Sequence, residues 1–269
     1  MSRLHLHILG SGSKGNCALI EGPQGLIMVD DGLSRRETLK RMAELGLSAD
    51  NVSALFVTHE HSDHIKGLDV WCKHWRGPLF ASRNTLASKA SIAHVPVEEF
   101  DPGDVLEIAG VRIQTYSTSH DVINPVGYRF DALGDSIGFA TDTGELSSHA
   151  IDTLKDCRVL ALESNHDVAM LRQGDYPRFL QERILSAKGH LSNDQAANAA
   201  RELVTVRTEQ LIAMHISQDN NRPSLTVKSY ARALDATLDD EIGSTATRHS
   251  GSRELTIRPA GQYRPMSIQ

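Results

Sequence analysis

Cysteine is scarce in this chain, and the three cysteines present are poorly placed for structural chemistry. Cys17, Cys72 and Cys157 lie far apart and form no C-x-x-C pair. Separate thiols of this kind are typical of small buried side chains in a reducing compartment. Long apolar segments are also missing, because no apolar run reaches 18 residues and the N-terminus has no signal-like apolar core. We therefore expect a cytoplasmic protein with no membrane span.

The chain also lacks an excess of positive charge. The formal net charge of the 269 residues is −6, which gives no support for a protein that coats itself with nucleic acid. A local basic groove on an acidic body is still compatible with this value, because such a footprint belongs to a patch of surface. The hydrophobic content of 40% is ordinary for a globular protein. Length alone allows one large domain or two small ones.

Short apolar runs punctuated by Gly, Asp and Ser predict a series of strands. The runs cover residues 4–9, 18–20, 26–29, 55–57, 111–116, 137–140, 159–162 and 211–214. Between them, S-R-R-E predicts a helix that starts at Ser34 with Glu37 as its capping-box partner and ends at Gly46. Further helices are predicted over 192–203 and 224–238. Sheets covered by helices make an α/β sandwich.

The C-terminal part has a different composition, and we divide the chain accordingly. Residues 1–238 are assigned to the sandwich domain. The stretch 239–253 is polar and predicts a flexible loop. Residues 254–269 are expected to form a late edge strand, over 254–259, and a tail.

The segment T-H-E-H-S-D-H, residues 58–64, places four metal-ligand side chains within six positions: His59, His61, Asp63 and His64. The segment follows the strand predicted at 55–57. In extended backbone His59 and His61 project to the same side, and a following helix would turn Asp63 and His64 toward a neighbouring point. These nitrogen and oxygen donors suit zinc, manganese or iron. By contrast, His5 and His7 are interpreted as an ordinary surface pair.

Other candidate ligands follow predicted strands. His120, Asp142 and His215 each lie at or just beyond the end of an apolar run, where the loops of an α/β framework gather into a site. Asp30, at the end of L-I-M-V-D-D-G, has the same placement and could orient a ligand histidine.

Taken together, H-x-H-x-D-H, a later His, the Asp of T-D-T-G, a final His and an early V-D-x-G resemble the metallo-β-lactamase-fold hydrolase superfamily over about residues 3–230. The resemblance implies an αββα four-layer sandwich with a dinuclear site for two divalent ions, zinc or manganese, at one edge. It implies one ion held by His59, His61 and His120, and a second held by Asp63, His64 and His215, with Asp142 bridging. Asp63 is also counted among the catalytic residues. Members with oxygen redox chemistry carry Glu in place of His61, so the resemblance favours hydrolysis.

Narrower motifs are similar to those of the YycJ/WalJ-type branch, whose members are described as bacterial 5′→3′ exodeoxyribonucleases. They are L-G-S-G-S-K-G-N-C at 9–17, E-S-N-H-D at 163–167, G-H-L-S-N at 189–193 and H-I-S-Q-D-N-N at 215–221. This implies a phosphodiesterase acting on DNA ends, or RNA ends, through a hydroxide activated by two metals.

Two other functions stay open at this point. No long insertion separates His120 from His215, so the added nucleic-acid-clamping domain of larger nucleases is missing. That absence and the acidic charge favour, as an alternative, a small-molecule hydrolase of a cyclic phosphodiester, thioester or lactone. A non-catalytic metal-sensing or partner-binding module is the third hypothesis, and the intact ligand set argues against it.

Two segments are candidates for contacts with a substrate phosphate. In S-G-S-K-G-N, Gly12 and Gly15 could let backbone amides point inward as an anion-binding nest. Its predicted phosphate-binding side chains are Ser11, Ser13, Lys14 and Asn16. Such a segment is also an ordinary turn in many proteins.

The second segment, G-H-L-S-N, is similar to a phosphate-contacting motif of RNase J-type enzymes. There His190 is predicted to bind phosphate or donate a proton, next to Ser192, which also suits a helix cap. His166 is predicted to act on the ligands or the substrate, with a satisfied loop histidine as the alternative.

A third segment carries positive charge directly after the ligand loop. Its basic residues are Lys66, Lys73, His74 and Arg76. They fit either a solvated helix face or a track that leads phosphates toward the site.

Overall fold

The computed structural model describes residues 3–269 and divides into two compact units. The first comprises the chain up to Ser117, Val122–Asp135 and Gly261–Gln269. The second comprises Thr118–Asp121 and Ser136–Ala260.

The first unit contains a seven-stranded sheet. In spatial order its strands are β16 (Met266–Ile268), β1 (His5–Gly10), β2 (Cys17–Gly22), β3 (Gly25–Val29), β4 (Val52–Val57), β5 (Leu79–Ser82) and β6 (Val97–Phe100). The pairs from β16 to β3 are antiparallel, and those from β3 to β6 are parallel. Three more strands, β7 (Val105–Ile108), β8 (Val111–Ser117) and β9 (Val126–Ala132), pair as an antiparallel meander.

Helices α1 (Arg35–Glu44), α2 (Ser62–Ile65) and α3 (Leu68–His74) belong to the first unit, with short 3₁₀ turns at Ala49–Asn51 and Ala90–Ile92. Alternate residues of the strands supply one wall of its core, and the helices supply the other. The core includes Leu19, Met28, Leu55, Met42 and Trp71, all buried. The parallel strands are therefore covered on this face, as buried parallel sheets require.

The second unit is built on parallel strands. Strands β10 (Asp135–Ala140), β11 (Val159–Glu163), β12 (Gln210–Met214) and β15 (Arg253–Pro259) pair in parallel. Strands β14 (Ala246–Ser250) and β13 (Thr237–Leu238) continue from β15 as antiparallel neighbours. The helices are α4 (Ser148–Leu154), α5 (Val168–Gln173), α6 (Arg178–Leu185), α7 (Asn193–Leu203) and α8 (Pro223–Leu234). Helix α8 packs on α7 and β15.

All eight strands predicted from apolar runs are confirmed, but the C-terminal assignment is wrong. The segment predicted as a flexible loop, 239–253, contains β14. The strand predicted at 254–259 is β15, which lies between β12 and β14 and so is not an edge strand. The tail contributes β16 to the first unit's sheet. These polar segments become strands because neighbouring strands complete their backbone hydrogen bonds.

The helix predictions hold with smaller corrections. Ser34 caps α1, but Glu37 does not complete a capping box; its carboxylate accepts from Arg41 Nε at 2.7 Å instead. Helix α8 ends at Leu234, four residues before the predicted 238, because Asp235 adopts a left-handed conformation with φ of 53°. In residues 3–269, no helix combines the length and apolar character needed to span a bilayer.

Candidate metal centre

Three histidines of the first unit crowd together just after β4. His59 Nε2 lies 3.2 Å from His61 Nδ1, and the ring centroids of His59 and His64 are 4.0 Å apart. His59 and His64 are buried, whereas His61 is half-buried. Helix α2 begins at Ser62, so the chain changes from extended to helical within the motif, as predicted.

Asp30 follows β3 and holds two neighbours of the ligand segment in place. Its Oδ1 accepts from Thr58 N, and its Oδ2 accepts from Thr58 Oγ1, both at 2.8 Å. The same Oδ2 lies 2.7 Å from His64 Nδ1. Burial raises the pKa of Asp30, although the His64 ring and both Thr58 donors oppose this. Because Nδ1–H of His64 is directed at the carboxylate, the lone pair of that ring is on Nε2.

The loop after Asp30 explains why the motif needs glycine. A Cβ on Gly32 would lie 1.6 Å from the carbonyl oxygen of Asp63. The two loops are joined by Asp31 N, which donates to His64 O at 2.8 Å, and by Gly67 N, which donates to Asp31 O at 2.7 Å. The V-D-D-G segment is therefore a close-fitting support for the ligand loop.

Asn16 belongs to this support as well. Its backbone N–H donates to Asp63 O at 2.7 Å, and its side-chain Nδ2 lies 3.1 Å from Asp63 Oδ2 and 3.0 Å from His64 Nε2. Asp63 is half-buried. The structure thus brings Asn16 to two predicted metal ligands.

Five of the six backbone amides at 11–16 have protein acceptors, which argues against the predicted anion-binding nest. Ser11 N donates to Gly261 O, Gly12 N to Asn16 Oδ1, Lys14 N to Gln262 Oε1, Gly15 N to Gly12 O, and Asn16 N to Asp63 O. Ser11 is buried, and only the side chains of Ser13 and Lys14 are exposed. A phosphate could meet these two side chains but not a nest of N–H groups.

In the second unit, three acidic or imidazole side chains occur at the carboxyl ends of neighbouring parallel strands. Asp142 follows β10, Glu163 ends β11 and His215 follows β12. Asp142 Oδ1 lies 3.4 Å from His215 Nδ1. Parallel strands in register place their carboxyl ends at one edge of the sheet. This pairing explains why Asp142 and His215, which both follow strands, lie close together.

Glu163 was missed as a site residue, although it obeys the same strand-end rule. It is fully buried, and its Oε1 lies 2.8 Å from both His190 Nδ1 and His215 Nδ1. Its Oε2 accepts from the backbone N–H groups of Thr143 and Leu191. Burial opposes ionisation, but the charge of His190 and the hydrogen bonds from His190 and His215 outweigh it and lower the pKa of Glu163 to about 2. Glu163 is therefore a buried carboxylate that orients two imidazoles.

His120 and His190 complete this cluster in the second unit. His120 Nδ1 lies 3.1 Å from Gly189 O, and its Nε2 lies 3.9 Å from Asp142 Oδ1. Burial lowers the pKa of His120, although Asp142 opposes this. The His190 ring is half-buried, with its centroid 5.0 Å from that of His120 and 5.1 Å from that of His215.

Two predicted substrate residues are enclosed by the protein. The ring of His166 is fully buried, and neither ring nitrogen has a hydrogen-bond partner among residues 3–269. Burial lowers its pKa to about 4, so the ring is neutral near pH 7. Ser192 is buried, and its hydroxyl is engaged in a complete capping box with Gln195 at the start of α7. The alternative of a satisfied loop histidine does not describe His166.

Backbone strain coincides with the candidate residues. Asp30, Asp142 and His215 all have positive φ, at 60°, 54° and 51°, and each directly or nearly follows a strand. Residues other than glycine rarely adopt this conformation, and it is concentrated at functional sites. The free energy that this strained backbone costs indicates that the positions of these three side chains are functionally important.

The donor chemistry fits divalent metal ions. His64, His120 and His215 each direct Nδ1 at an oxygen acceptor, which leaves Nε2 as the lone-pair atom. Metal-binding histidines have this arrangement, because the second partner fixes the tautomer and the ring plane. In the second unit, ligand atoms of Asp142, Glu163, His190 and His215 all lie within 4.8 Å of one another. The set contains only nitrogen and oxygen, as zinc or manganese would accept.

The basic residues after the ligand loop mainly face solvent. Lys66, Lys73, His74 and Arg76 are exposed, and Lys73 Nζ pairs with Asp69 Oδ2 at 2.7 Å within α3. This supports the interpretation of a solvated helix face for Lys73.

Comparison with known proteins identifies the class. The sequence model of the beta-lactamase superfamily domain family matches residues 26–216, and the chain belongs to this family. The structure of YhfI from Bacillus subtilis, a metallo-β-lactamase-fold protein, superposes with a TM-score of 0.71 at 13% identity, covering 99% of this chain and all of that one. The predicted α/β fold of the metallo-β-lactamase type is therefore confirmed.

Two curated relatives define the branch. Exodeoxyribonuclease YycJ of Bacillus anthracis is 36% identical over 236 residues, which are 86% of this chain and 89% of the relative. Exodeoxyribonuclease WalJ of Streptococcus pneumoniae is 33% identical over 220 residues, covering 80% of this chain and 82% of the relative. The chain is thus a metallo-β-lactamase-fold protein of the YycJ/WalJ branch, as its motifs predicted.

Proposed function

We propose that this protein is a metal-dependent phosphodiesterase that degrades DNA from its ends, as a 5′→3′ exonuclease. The similarity to two proteins named exodeoxyribonucleases over at least 80% of the chain supports this function. RNA ends are a second substrate class with the same phosphodiester chemistry. A cytoplasmic location, predicted from the separate cysteines, is part of the proposal.

We further propose the ligand set that the family resemblance implies. His59, His61 and His120 would hold one divalent ion, zinc or manganese, and Asp63, His64 and His215 the other, with Asp142 bridging. Two ions in such a site supply Lewis-acid activation of water and neutralise charge on the phosphate. The observation that carries this assignment is the contact of Nδ1 with an oxygen in His64, His120 and His215, since this contact favours the tautomer whose lone pair is on Nε2.

The chain's own residues would orient groups and move a proton. Glu163 holds Nδ1–H of His190, so His190 Nε2 is the ring atom available to a substrate oxygen. In that role His190 would bind the phosphate or protonate the leaving oxygen. Lys14 and Ser13, both exposed, could contact a phosphate through their side chains. His166 is buried and neutral, so its proposed contribution is to position its neighbours.

A small-molecule hydrolase is the second candidate function. It is favoured by the short sequence between His120 and His215, which leaves no room for an added clamping domain. Its substrate would be a cyclic phosphodiester, a thioester or a lactone.

Substrate panels distinguish these functions. The purified protein would be incubated in Mn²⁺ with 5′-labelled duplex DNA, single-stranded DNA and RNA, and in parallel with a cyclic phosphodiester, a thioester and a lactone. We expect mononucleotides to be released progressively from DNA. Turnover of a small ester without any attack on the polymers would reject the exonuclease and favour the second candidate.

The ligand assignment has its own test. We expect His59→Ala to abolish DNA degradation and to remove at least one metal ion, because no nearby side chain replaces this imidazole. His249→Ala, at an exposed histidine of β14, is the control and should keep both. Full metal content in His59→Ala would reject the assignment.

A further inference from the structure

A second cluster of potential ligands lies in the first unit, on strands β1 and β2. His5, His7 and Glu21 each contribute one donor atom, and the three atoms lie within 4.8 Å of one another. Glu21 Oε2 is 3.1 Å from His5 Nδ1 and also 3.1 Å from His7 Nε2. None of these residues belongs to the ligand set proposed above.

The strand register fixes this arrangement. His5 and His7 share a face of β1 because side chains alternate along a strand. His5 pairs directly with Glu21 in the antiparallel ladder, which puts the carboxylate within reach of both rings. The interpretation of these histidines as an ordinary surface pair is wrong for His7, which is only 4% exposed.

The spacing of the donor atoms fits a transition-metal ion. Zinc bonds of about 2.0–2.1 Å in tetrahedral geometry separate the ligand atoms by about 3.3 Å. The two nitrogen–oxygen distances of 3.1 Å are close to this value, as is the 3.2 Å between His59 Nε2 and His61 Nδ1. Two imidazoles and one carboxylate are a common zinc ligand set, with a water completing it.

Ser267 on β16 provides the outer contact that such a site needs. Its Oγ lies 2.8 Å from His7 Nδ1. A hydroxyl can donate to Nδ1 or accept from Nδ1–H. His7 can therefore direct Nε2–H at Glu21 without a metal, or switch tautomer and present its Nε2 lone pair to one.

We propose that His5, His7 and Glu21 form a separate binding site for a divalent transition metal, zinc by donor type, which joins β1 and β2 and, through Ser267, the C-terminal strand β16. The role of this site is structural and not catalytic. The bound metal stabilises the fold by linking β1 and β2 and, through Ser267, β16 of the same sheet. Metal binding to the folded state adds to the free energy of unfolding in this way.

The test counts bound zinc in the metal-depleted full-length protein after titration with Zn²⁺ and gel filtration. We expect His5→Ala and Glu21→Gln to bind one equivalent fewer than the wild type. His249→Ala is a matched control, because His249 Nδ1 also faces a cross-strand carboxylate, Glu254, at 3.7 Å, but within residues 3–269 this pair belongs to no group of three potential ligands. It should bind as many equivalents as the wild type. This difference of one does not depend on how many ions the proposed catalytic centre holds, so it is independent of the proposed function.

Thermal unfolding gives a second measurement on the same proteins. Zn²⁺ should raise the Tm of His5→Ala and Glu21→Gln less than that of the wild type and of His249→Ala. Ser267→Ala should weaken binding at this site by roughly 10–100-fold, as losses of an orienting partner do. Equal zinc content in wild type, His5→Ala and Glu21→Gln would overturn the proposal and leave a hydrogen-bonded cluster without a metal.

Discussion

Asp30 Oδ2 lies 2.7 Å from His64 Nδ1, in the buried support of the ligand loop. In Asp30→Asn, one amide oxygen could still accept from Thr58, but the NH₂ group would face the ring. Two donors cannot share this contact, so His64 would move its proton to Nε2, the atom proposed to bind metal. We expect metal affinity to fall by roughly 10–100-fold, measured by competition with a chelator.

Asp31→Asn is the control for this change, because Asp31 is an adjacent buried carboxylate whose Oδ1 accepts from Thr38. It should retain the metal affinity of the wild type. If Asp30→Asn also retained it, the tautomer of His64 would not depend on Asp30.

Asp142 is proposed to bridge two ions, which requires two anionic oxygens. In Asp142→Asn, the amide offers one neutral acceptor and one donor that no cation can use. We expect the variant to unfold at nearly the wild-type temperature but to lose most of its turnover. Circular dichroism melting and DNA-degradation rates would be measured on the same preparation, and near-native turnover would show that Asp142 does not bridge.

Asp31 predicts how stability depends on pH. Burial raises its pKa to about 7, with the Thr38 hydrogen bond opposing this. Because the folded state holds this proton more tightly than the unfolded chain, the stabilisation is full below about pH 3.8 and is lost as pH rises through about 7. Asp31→Asn cannot titrate here. The Tm of the variant minus that of the wild type should therefore increase between about pH 4 and 7 and then level off.

This comparison would use metal-depleted protein, so that metal binding does not add its own pH dependence. Each pH unit within the window corresponds to at most about 1.4 kcal/mol. Parallel Tm curves for the two proteins would show that Asp31 is already ionised in the folded state at lower pH.

The sequence predicted strands well where they are continuously apolar, and less well where they alternate. Strand β9 has Val126, Tyr128 and Phe130 as buried aromatic and branched positions; half-buried Arg129 lies between Tyr128 and Phe130, and half-buried Asp131 follows Phe130. A search for apolar runs passes over such a strand, although its period of two is the signal of a half-buried strand. Strand β14, A-T-R-H-S, carries almost no local signal, and its pairing with β15 decides its conformation.

The candidate ligands were predictable because they occur where strands end, but their supports depend on tertiary contacts. Glu163 could have been found by applying the strand-end rule one residue beyond the predicted strand at 159–162. The role of Asn16 could not, because its contacts with Asp63 and His64 join segments 47 and 48 residues apart. The amides at 11–16 illustrate the same limit, since their acceptors include Gly261 and Gln262 near the other end of the chain.

Two roles are proposed for His190: binding the substrate phosphate and donating a proton to the leaving oxygen. Glu163 Oε1 lies 2.8 Å from its Nδ1, and the ring is half-buried. If its Nε2 contacts the substrate phosphate, His190→Ala should bind metals normally and unfold at nearly the wild-type temperature. The loss of one charge-assisted hydrogen bond should cost about 1.5–3 kcal/mol, or roughly 10–150-fold in rate. If His190 also donates the proton, a nitrophenyl phosphodiester should lose less rate than DNA, because its leaving oxygen needs no protonation and only the phosphate contact is lost. Equal losses on both substrates would leave phosphate binding and reject the proton donor. Unchanged rates on both would assign His190 to the support of Glu163 alone.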